Sequence, residues 1–166
     1  MKKVIIALVA ALAMTVSANA QKFGHVDTQA IMQSLPELTK VNGELQAIAQ
    51  QYENDLKAMQ DELQRKAEDY DKNKATMNKT AQEEAEKSLQ EMYAKIQQTA
   101  QMNQQEFQKQ QQEKMGPIQQ KIMTAIQNVG KAGQYTYIFE VGAAIYIGTG
   151  SKDVTADVKA EINKLK

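Results

Sequence analysis

The fold of this chain is decided by residues 38–70, LTKVNGELQAIAQQYENDLKAMQDELQRKAEDY, because their apolar side chains recur at one helical spacing. Three apolar positions return every eleven residues: Val41, Leu45 and Ile48, then Tyr52, Leu56 and Met59, then Leu63, Ala67 and Tyr70. Eleven residues in three turns correspond to about 3.67 residues per turn, which is close to an unstrained α-helix. The pattern therefore predicts one long amphipathic helix rather than a strand.

A second segment repeats this spacing. Four of its apolar residues recur every eleven positions, namely Ile96, Phe107, Ile118 and Val129, and four more lie near the same face, namely Leu89, Met92, Ile122 and Ile126. Between the two segments, residues 71–80 lose the apolar period and contain Asn73 and Asn78, which weaken helix propensity. Thr80 and Glu83 have the spacing of a capping box and are predicted to begin the second helix. The sequence thus predicts an antiparallel, coiled-coil helical hairpin, with residues 38–116 as an arm and about 71–80 as its tip.

Charged residues on the arm are spaced for contacts within each helix. Acid-first pairs four residues apart are Glu53–Lys57, Glu62–Lys66, Glu68–Lys72, Glu83–Lys87 and Glu91–Lys95. Each such pair contributes about 0.2–0.5 kcal/mol to a helix. Because about 35 helical residues extend roughly 50 Å, we expect the arm to project from the rest of the chain, with these charges on its solvated faces.

Residues 1–20 have the features of a secretory signal peptide. Lys2 and Lys3 precede an uncharged apolar run, and Ala18 and Ala20 supply the small residues of a cleavage site after Ala20. The run is too short to cross a bilayer, so we expect no stable membrane insertion, with a retained anchor as the alternative. The absence of cysteine excludes a lipid anchor on cysteine and any disulfide. These features predict export and a periplasmic location.

Residues 21–37 and 117–166 are predicted to form a small α+β body. Residues 22–26 form a strand, Asp27 or Thr28 caps a brief helix, and the long helix begins at Pro36. On the return, the pair Gly116-Pro117 is predicted to kink the second helix, and Gly130 and Gly133 to end it.

The end of the body is predicted to be a two-strand hairpin and a helix. The strands are residues 135–141 and 144–147, and Asp153 caps a helix over 155–165. Because a body of about 65 residues supports only a marginal core, we expect self-association through its sheet. The candidate oligomerisation residues are Ile138, Phe139, Ile145 and Ile147.

No residue cluster indicates catalysis, a cofactor or a metal. His25 is the single histidine and is predicted to be a packed sheet residue, while residues 148–152 are predicted to form a turn rather than a phosphate loop. Cleavage after Ala20 removes two of the 20 basic residues and none of the 20 acidic ones, which leaves a formal net charge of −2. We therefore expect a protein that is not an enzyme and does not bind nucleic acid.

The arm tip contains the candidate binding residues. Met77 has no evident core to join, and methionine is adaptable at binding surfaces. Lys72, Lys74 and Lys79 make the tip locally basic. These four residues are predicted to contact a bound protein.

Several segments together resemble the Skp/OmpH family of periplasmic chaperones. They are the signal peptide, the two long helical segments, residues 116–122 (GPIQQKI), residues 135–140 (YTYIFE), Tyr146 and residues 153–158 (DVTADV). The resemblance implies a homotrimer whose sheets join in a central β-barrel, with helical arms around a cavity. It also implies that unfolded outer-membrane β-barrel proteins are held there without ATP, which prevents their aggregation.

One departure from the family's usual pattern qualifies this resemblance. The family's chaperones are usually described as basic, whereas this mature chain is nearly neutral, which leaves charge-based capture of clients or lipopolysaccharide open. The alternative function is a structural coiled-coil spacer or adaptor of the cell envelope, which would share the arms but bind one fixed partner.

Overall fold

The structure, a computed structural model, describes residues 21–165. In chain order its elements are β1 (Phe23–Val26), α1 (Thr28–Gln33), α2 (Pro36–Asn73), a 3₁₀ turn (Lys74–Thr76), α3 (Lys79–Ala132), β2 (Tyr137–Glu140), a second 3₁₀ turn (Val141–Ala143), β3 (Ser151–Asp153) and α4 (Thr155–Ile162). The predicted class, α+β and mainly helical with a long helical arm, is confirmed. The expected signal peptide lies outside the described residues.

The chain divides into two compact units, which we call the arm unit and the body unit. The arm unit is Met32–Lys121, and the described part of the body unit is residues 21–31 and 122–165. These divisions fall a few residues from the predicted limits of the arm at 38 and 116. The predicted limits remain a prediction about which segments act as arm and body.

Within the arm unit, the eleven-residue repeat forms the seam between α2 and α3. Each repeating position in residues 41–70 is buried or half-buried, and Leu45, Tyr70, Ile96 and Ile118 are at most 8% exposed. Two ion pairs join the helices in antiparallel register, Lys114 to Glu44 at 2.6 Å and Lys121 to Glu37 at 2.9 Å. Pro36 occupies the first turn of α2, as predicted, because its fixed φ suits a helix start.

The end of α3 differs from the prediction. The helix continues through Pro117 and Gly130 to Ala132, so Gly130 does not stop it. The N–H of Tyr135 donates to the Gly130 carbonyl at 3.0 Å and that of Gln134 to Lys131 at 3.2 Å, which is a Schellman ending. Gln134 takes the left-handed position of that motif, with φ 52°, although it is not glycine.

Three parallel strands form the sheet of the body unit. The order is β2-β1-β3, and Phe23 lies opposite both Tyr137 and Ser151. The predicted hairpin is therefore wrong: residues 144–147 are not a strand, and β2 pairs with β1 instead. The 3₁₀ turn over Val141–Ala143 takes the place of the tight turn that a two-strand hairpin requires.

Apolar side chains from every part of the body unit form its core. They are Val26, Ile31, Ile122, Ala125, Val154, Val158 and Ile162, each at most 4% exposed. Asp27 caps α1 by accepting the Ala30 N–H at 2.7 Å. Asp153 accepts the Thr155 N–H at 2.8 Å, as its predicted capping role requires, although Val154 is the residue at the N-cap position. The helix α4 ends at Ile162, three residues before the predicted end.

Candidate functional sites at the arm tip and the sheet face

Side chains of the arm tip hold the backbone between the two long helices. The Asn78 carboxamide oxygen accepts the Ala81 N–H at 2.9 Å, so Asn78 caps α3 and the predicted capping box at Thr80 is wrong. Thr80 lies one residue inside the helix because Asn78 already satisfies the first free N–H groups. The Gln82 side chain donates to the carbonyls of Lys74 at 2.9 Å and Met77 at 3.1 Å. Side chains of α3 and of its N-cap residue therefore pair with several backbone groups of the tip and fix the course of its turn.

Met77 occupies a different environment from the predicted one. It is half-buried, and with Tyr70 and Leu89 it lines a groove of about 210 Å³ between α2 and α3. The prediction that Met77 has no core to join is wrong, because the seam continues to the tip through Tyr70. Part of the methionine remains accessible at the groove, so its role in binding stays a prediction.

The three tip lysines differ in their contacts. Lys74 is 3.7 Å from Glu86, and its ammonium lies 5.1 Å from the centre of the Tyr70 ring. Tyr70 donates its hydroxyl hydrogen to Glu86, which raises the pKa of the Tyr70 phenol. The hydrogen bond with Tyr70 in turn raises the pKa of Lys74. Lys79 pairs with Glu83 at 3.9 Å, and Lys72 is exposed.

The sequence analysis did not single out the polar residues that join the two helices at the tip. Tyr70 was identified only as the last apolar position of the repeat, and Glu86 was not identified at all. The position of Tyr70 at the end of the apolar seam could have predicted such a contact. A tyrosine there can bury its ring while its hydroxyl reaches a polar partner. Tyr70, Lys74 and Glu86 together connect α2 to α3 at the end of the arm.

A second candidate site is the aromatic face of the sheet. The rings of Phe23, Tyr137 and Phe139 stack with centroid separations of 5.8–6.5 Å. Tyr137 is 57% exposed and Phe139 49% exposed, although both are large apolar side chains. Exposed aromatic patches of this kind mark interaction surfaces.

The four candidate oligomerisation residues do not share one environment. Phe139 is on the aromatic face, whereas Ile138 points to the other side of β2 and is half-buried near Gly24 and Gly130. Ile145 is fully exposed, and Ile147 is half-buried beside a groove of about 320 Å³ that Phe23 and Phe139 also line. The structure therefore brings Phe139 and Ile147 to one groove, and it leaves Ile145 uncovered.

The polar groups around the sheet are paired with one another. His25 lies on β1 as expected, and its Nδ1 is 2.9 Å from the Ser151 hydroxyl. The Glu140 carboxylate accepts the Thr28 N–H at 3.2 Å and so fixes the start of α1, a role that the sequence analysis missed. A turn forms at residues 149–150, within the predicted range 148–152, but Ser151 and Lys152 belong to β3, a strand that was not predicted. Within residues 21–165, no group of His, Cys, Asp or Glu side chains is placed to hold a metal ion.

Comparison with known proteins assigns the chain to a family. The matching family model is described as outer membrane protein (OmpH-like), and the match covers residues 22–162. The chain belongs to the OmpH-like family. The Skp/OmpH resemblance of the sequence is thereby confirmed, and it extends over both the arm and the body.

Two known proteins are similar to this chain over most of its length. The chaperone protein Skp of Yersinia enterocolitica is 28% identical over 152 residues, which are 92% of this chain and 92% of that protein. A crystal structure of an OmpH-like protein from Caulobacter crescentus matches with a TM-score of 0.76 over 89% of this chain and 87% of that one. At 22% identity, the second similarity supports the fold alone.

The family consists of periplasmic chaperones rather than enzymes, and this chain is an OmpH/Skp-like chaperone by family. None of the helices in residues 21–165 has the length and apolar character that crossing a membrane requires. A chaperone family is consistent with the two features described above, which are the long helices and the exposed aromatic face of the sheet.

Proposed function

We propose that this protein is an ATP-independent periplasmic holdase that binds unfolded outer-membrane β-barrel proteins between its helical arms and prevents their aggregation. The observation that carries the proposal is a hairpin of 38- and 54-residue helices, within an OmpH-like chain, whose side chains bury only a narrow seam. Such a hairpin presents long surfaces on both helices to another protein.

Exposed apolar side chains on these surfaces supply the binding energy. Tyr93 is 60% exposed and Met102 is 59% exposed, and Met77 is accessible at the tip groove. Apolar contact contributes about 25 cal/mol per Å² and is not directional, so scattered contacts can hold chains of unrelated sequence. Lys72, Lys74 and Lys79 at the tip would assist the first encounter by charge.

The body is the proposed site of assembly into a homotrimer. In the described sheet, β2 and β3 are the outer strands, and unpaired outer strands favour pairing with another chain. The exposed side chains of Phe139 and Ile145 would be covered in that assembly, and the half-buried Ile138 and Ile147 are the other two candidate contacts. Strands shared among three bodies would close a β-barrel and remove these edges.

Export by the signal peptide, with cleavage after Ala20, would deliver the chain to the periplasm, where such clients pass. The mature chain needs no nucleotide there, because a holdase gains its binding energy from the client itself.

An aggregation assay tests this function. A urea-unfolded outer-membrane β-barrel protein is diluted into buffer with or without the mature chain, and light scattering is followed. We expect suppressed scattering for several unrelated barrel proteins. Suppression for one protein only would indicate the fixed-partner adaptor instead, and no suppression at a molar excess would contradict the proposal. A chaperone variant with Gln101→Asp, an exposed polar position on α3, serves as a control that should retain the activity.

A further inference from the structure

The residue that follows the expected cleavage site has a reactivity of its own. Cleavage after Ala20 would leave Gln21 as the first residue, with a free α-amino group. The nitrogen of an N-terminal glutamine can attack the δ-carbon of its own side-chain amide. The new C–N bond closes a five-membered lactam, the bond to the amide nitrogen breaks, and ammonia leaves. No oxidant or other reactant is consumed.

We propose that Gln21 is a modification site, at which the mature N-terminus is converted to pyroglutamate after export. This inference rests on the export and cleavage included in the proposed function. It concerns the chemical state of the mature chain and makes no use of client binding.

The structure leaves Gln21 accessible and anchors the chain directly after it. Gln21 is exposed, whereas the Lys22 carbonyl accepts the Thr136 N–H at 2.8 Å. The Lys22 ammonium donates to the Gly133 carbonyl at 2.7 Å and lies 4.2 Å from the centre of the Tyr135 ring. The fold therefore fixes residue 22 and does not enclose residue 21, so the lactam can form without disturbing the body.

Cyclisation also changes the charge at this point. An α-amino group has a pKa near 8 and is mostly protonated at neutral pH. It would place a second positive charge on the residue directly before Lys22. Conversion to the lactam removes that charge and its repulsion, and it preserves the contacts of Lys22 with Gly133 and Tyr135.

A blocked N-terminus would protect β1 from aminopeptidases. The strand begins at Phe23, two residues after the expected cleavage, and it is the central strand that pairs with both β2 and β3. An aminopeptidase that starts from a free amine would remove Gln21, then the anchoring Lys22, and then reach the strand. Chain termini are common sites of proteolysis, and a lactam offers no free amine to such an enzyme.

Mass measurement of the exported protein tests the proposal. The full chain, with its own residues 1–20, is expressed in a bacterium and purified from the periplasm, and the intact mass and N-terminal peptide are determined. We expect a chain of residues 21–166 that is lighter than its sequence by one ammonia and resists an aminopeptidase. Treatment with pyroglutamyl peptidase should restore trimming. A chain that begins at Gln21 with a free amine would overturn the inference and leave the chaperone function untouched; an uncleaved chain or another first residue would overturn it together with the expected cleavage.

The variant Gln21→Asn is the matched control. It keeps an amide side chain but is shorter by one methylene, so the same attack would require a strained four-membered ring. We expect it to be exported and cleaved, to keep its full mass and to be trimmed by the aminopeptidase, while it still suppresses client aggregation before trimming. If Gln21→Asn resisted trimming as well as the natural chain does, the lactam would not be the protecting group and that part of the inference would be wrong.

Discussion

At the scale of single residues, Gln134 occupies a backbone conformation that favours glycine. Its φ of 52° lies in the left-handed region, where the Cβ of an L-residue approaches the following carbonyl. The neighbouring Gly133 cannot exchange places with it, because a Cβ at 133 would overlap the Tyr135 ring. The helix end therefore uses its glycine for close packing and accepts strain at the next residue.

We predict that Gln134→Gly stabilises the protein. The left-handed conformation costs an L-residue about 1–2 kcal/mol, and the greater unfolded-state freedom of glycine offsets about 0.4–1 kcal/mol of that gain. The expected net change is an increase of about 0.5–1 kcal/mol in the free energy of unfolding, measured in urea. The same substitution at the exposed helical residue Gln127 should be destabilising by up to about 1 kcal/mol, and a loss at both positions would refute the strain argument.

The two ion pairs between α2 and α3 make the arm sensitive to acid. The hydrogen bond from Lys121 lowers the pKa of Glu37, and that from Lys114 lowers the pKa of Glu44. A carboxylate with a lowered pKa contributes its full stabilisation above its unfolded pKa, ordinarily 4.5. That contribution is lost as pH falls through the lower, folded value.

We predict that the arm loses stability as the pH falls below about 4.5. In the double variant Lys114→Met, Lys121→Met, this part of the acid dependence should be smaller, since the largest cause of the lowered pKa of each carboxyl group is removed. Urea unfolding measured across this range provides the comparison. Lys57→Met is the control, because Lys57 pairs with Asp61 inside one helix. An unchanged pH slope in the double variant would show that the pairs do not contribute.

Residue-scale contacts were only partly predictable from the sequence. The pair Glu62–Lys66 forms, but Lys57 turns to Asp61 and Lys87 to Glu91, each toward the acid on the other side. Both neighbours lie four residues away, so spacing alone cannot choose between them, and side-chain rotamers decide. The N-cap was misplaced for the same reason, because Asn78 and Thr80 both suit that position and only the course of the turn selects Asn78.

At the scale of elements, local patterns were predictable and distant pairing was not. The long helices followed from an apolar period that lies within each segment and from the proline at the start of α2. The sheet depends on Phe23 pairing with Tyr137 and Ser151, more than a hundred residues away, and no local spacing specifies a parallel partner. Residues 144–147 have the composition of a strand but pair with no strand within residues 21–165 of this chain. We would expect this of a segment that pairs with another chain in an assembly.

Each helix of the arm contains a glycine, which lowers helix propensity, at the same position along the arm. Because Glu44 meets Lys114 and Glu37 meets Lys121, Gly43 and Gly116 lie between the same two ion pairs. An added Cβ would meet no described atom within 4 Å at either glycine, so packing does not require them. Pro117 removes one backbone donor there. The predicted kink remains a prediction, and this level is where bending would cost least.

We predict weaker hydrogen-exchange protection in residues 70–89 and around Gly43 and Gly116 than in residues 137–147 of the assembled protein, because a narrow seam opens locally. The double variant Gly43→Ala, Gly116→Ala should slow exchange near these positions, since alanine favours the helix by about 1 kcal/mol at each. Exchange at the tip, residues 74–80, provides the internal control and should not change. Equal protection of arm and body would contradict local opening.

At the scale of the whole molecule, the nearly neutral charge bears on how the proposed clients would be held. Salt at about 0.15 M screens exposed charges beyond roughly 8 Å, so we expect the tip lysines to guide capture and to contribute little to affinity. We predict that raising salt from about 0.05 to 0.5 M weakens client binding only modestly. Met77→Asp with Met102→Asp should weaken it much more than Thr76→Asp with Gln101→Asp, which adds the same charge at neighbouring polar positions. If salt abolished binding and the methionine substitutions did not, the lysines would be the binding site.

The central claim is that three bodies assemble through the sheet face and present their arms to one unfolded client. Native mass spectrometry of the mature chain with a urea-unfolded outer-membrane barrel tests it most directly. We predict a complex of three chains and one client. Ile145→Asp should give monomers that bind no client, because it places a charge at a position that only assembly would cover. Thr149→Asp is the control, because Thr149 is an exposed polar residue of the same loop. This variant should still form the complex. A monomer that binds the client, or a trimer that persists in Ile145→Asp, would contradict the account.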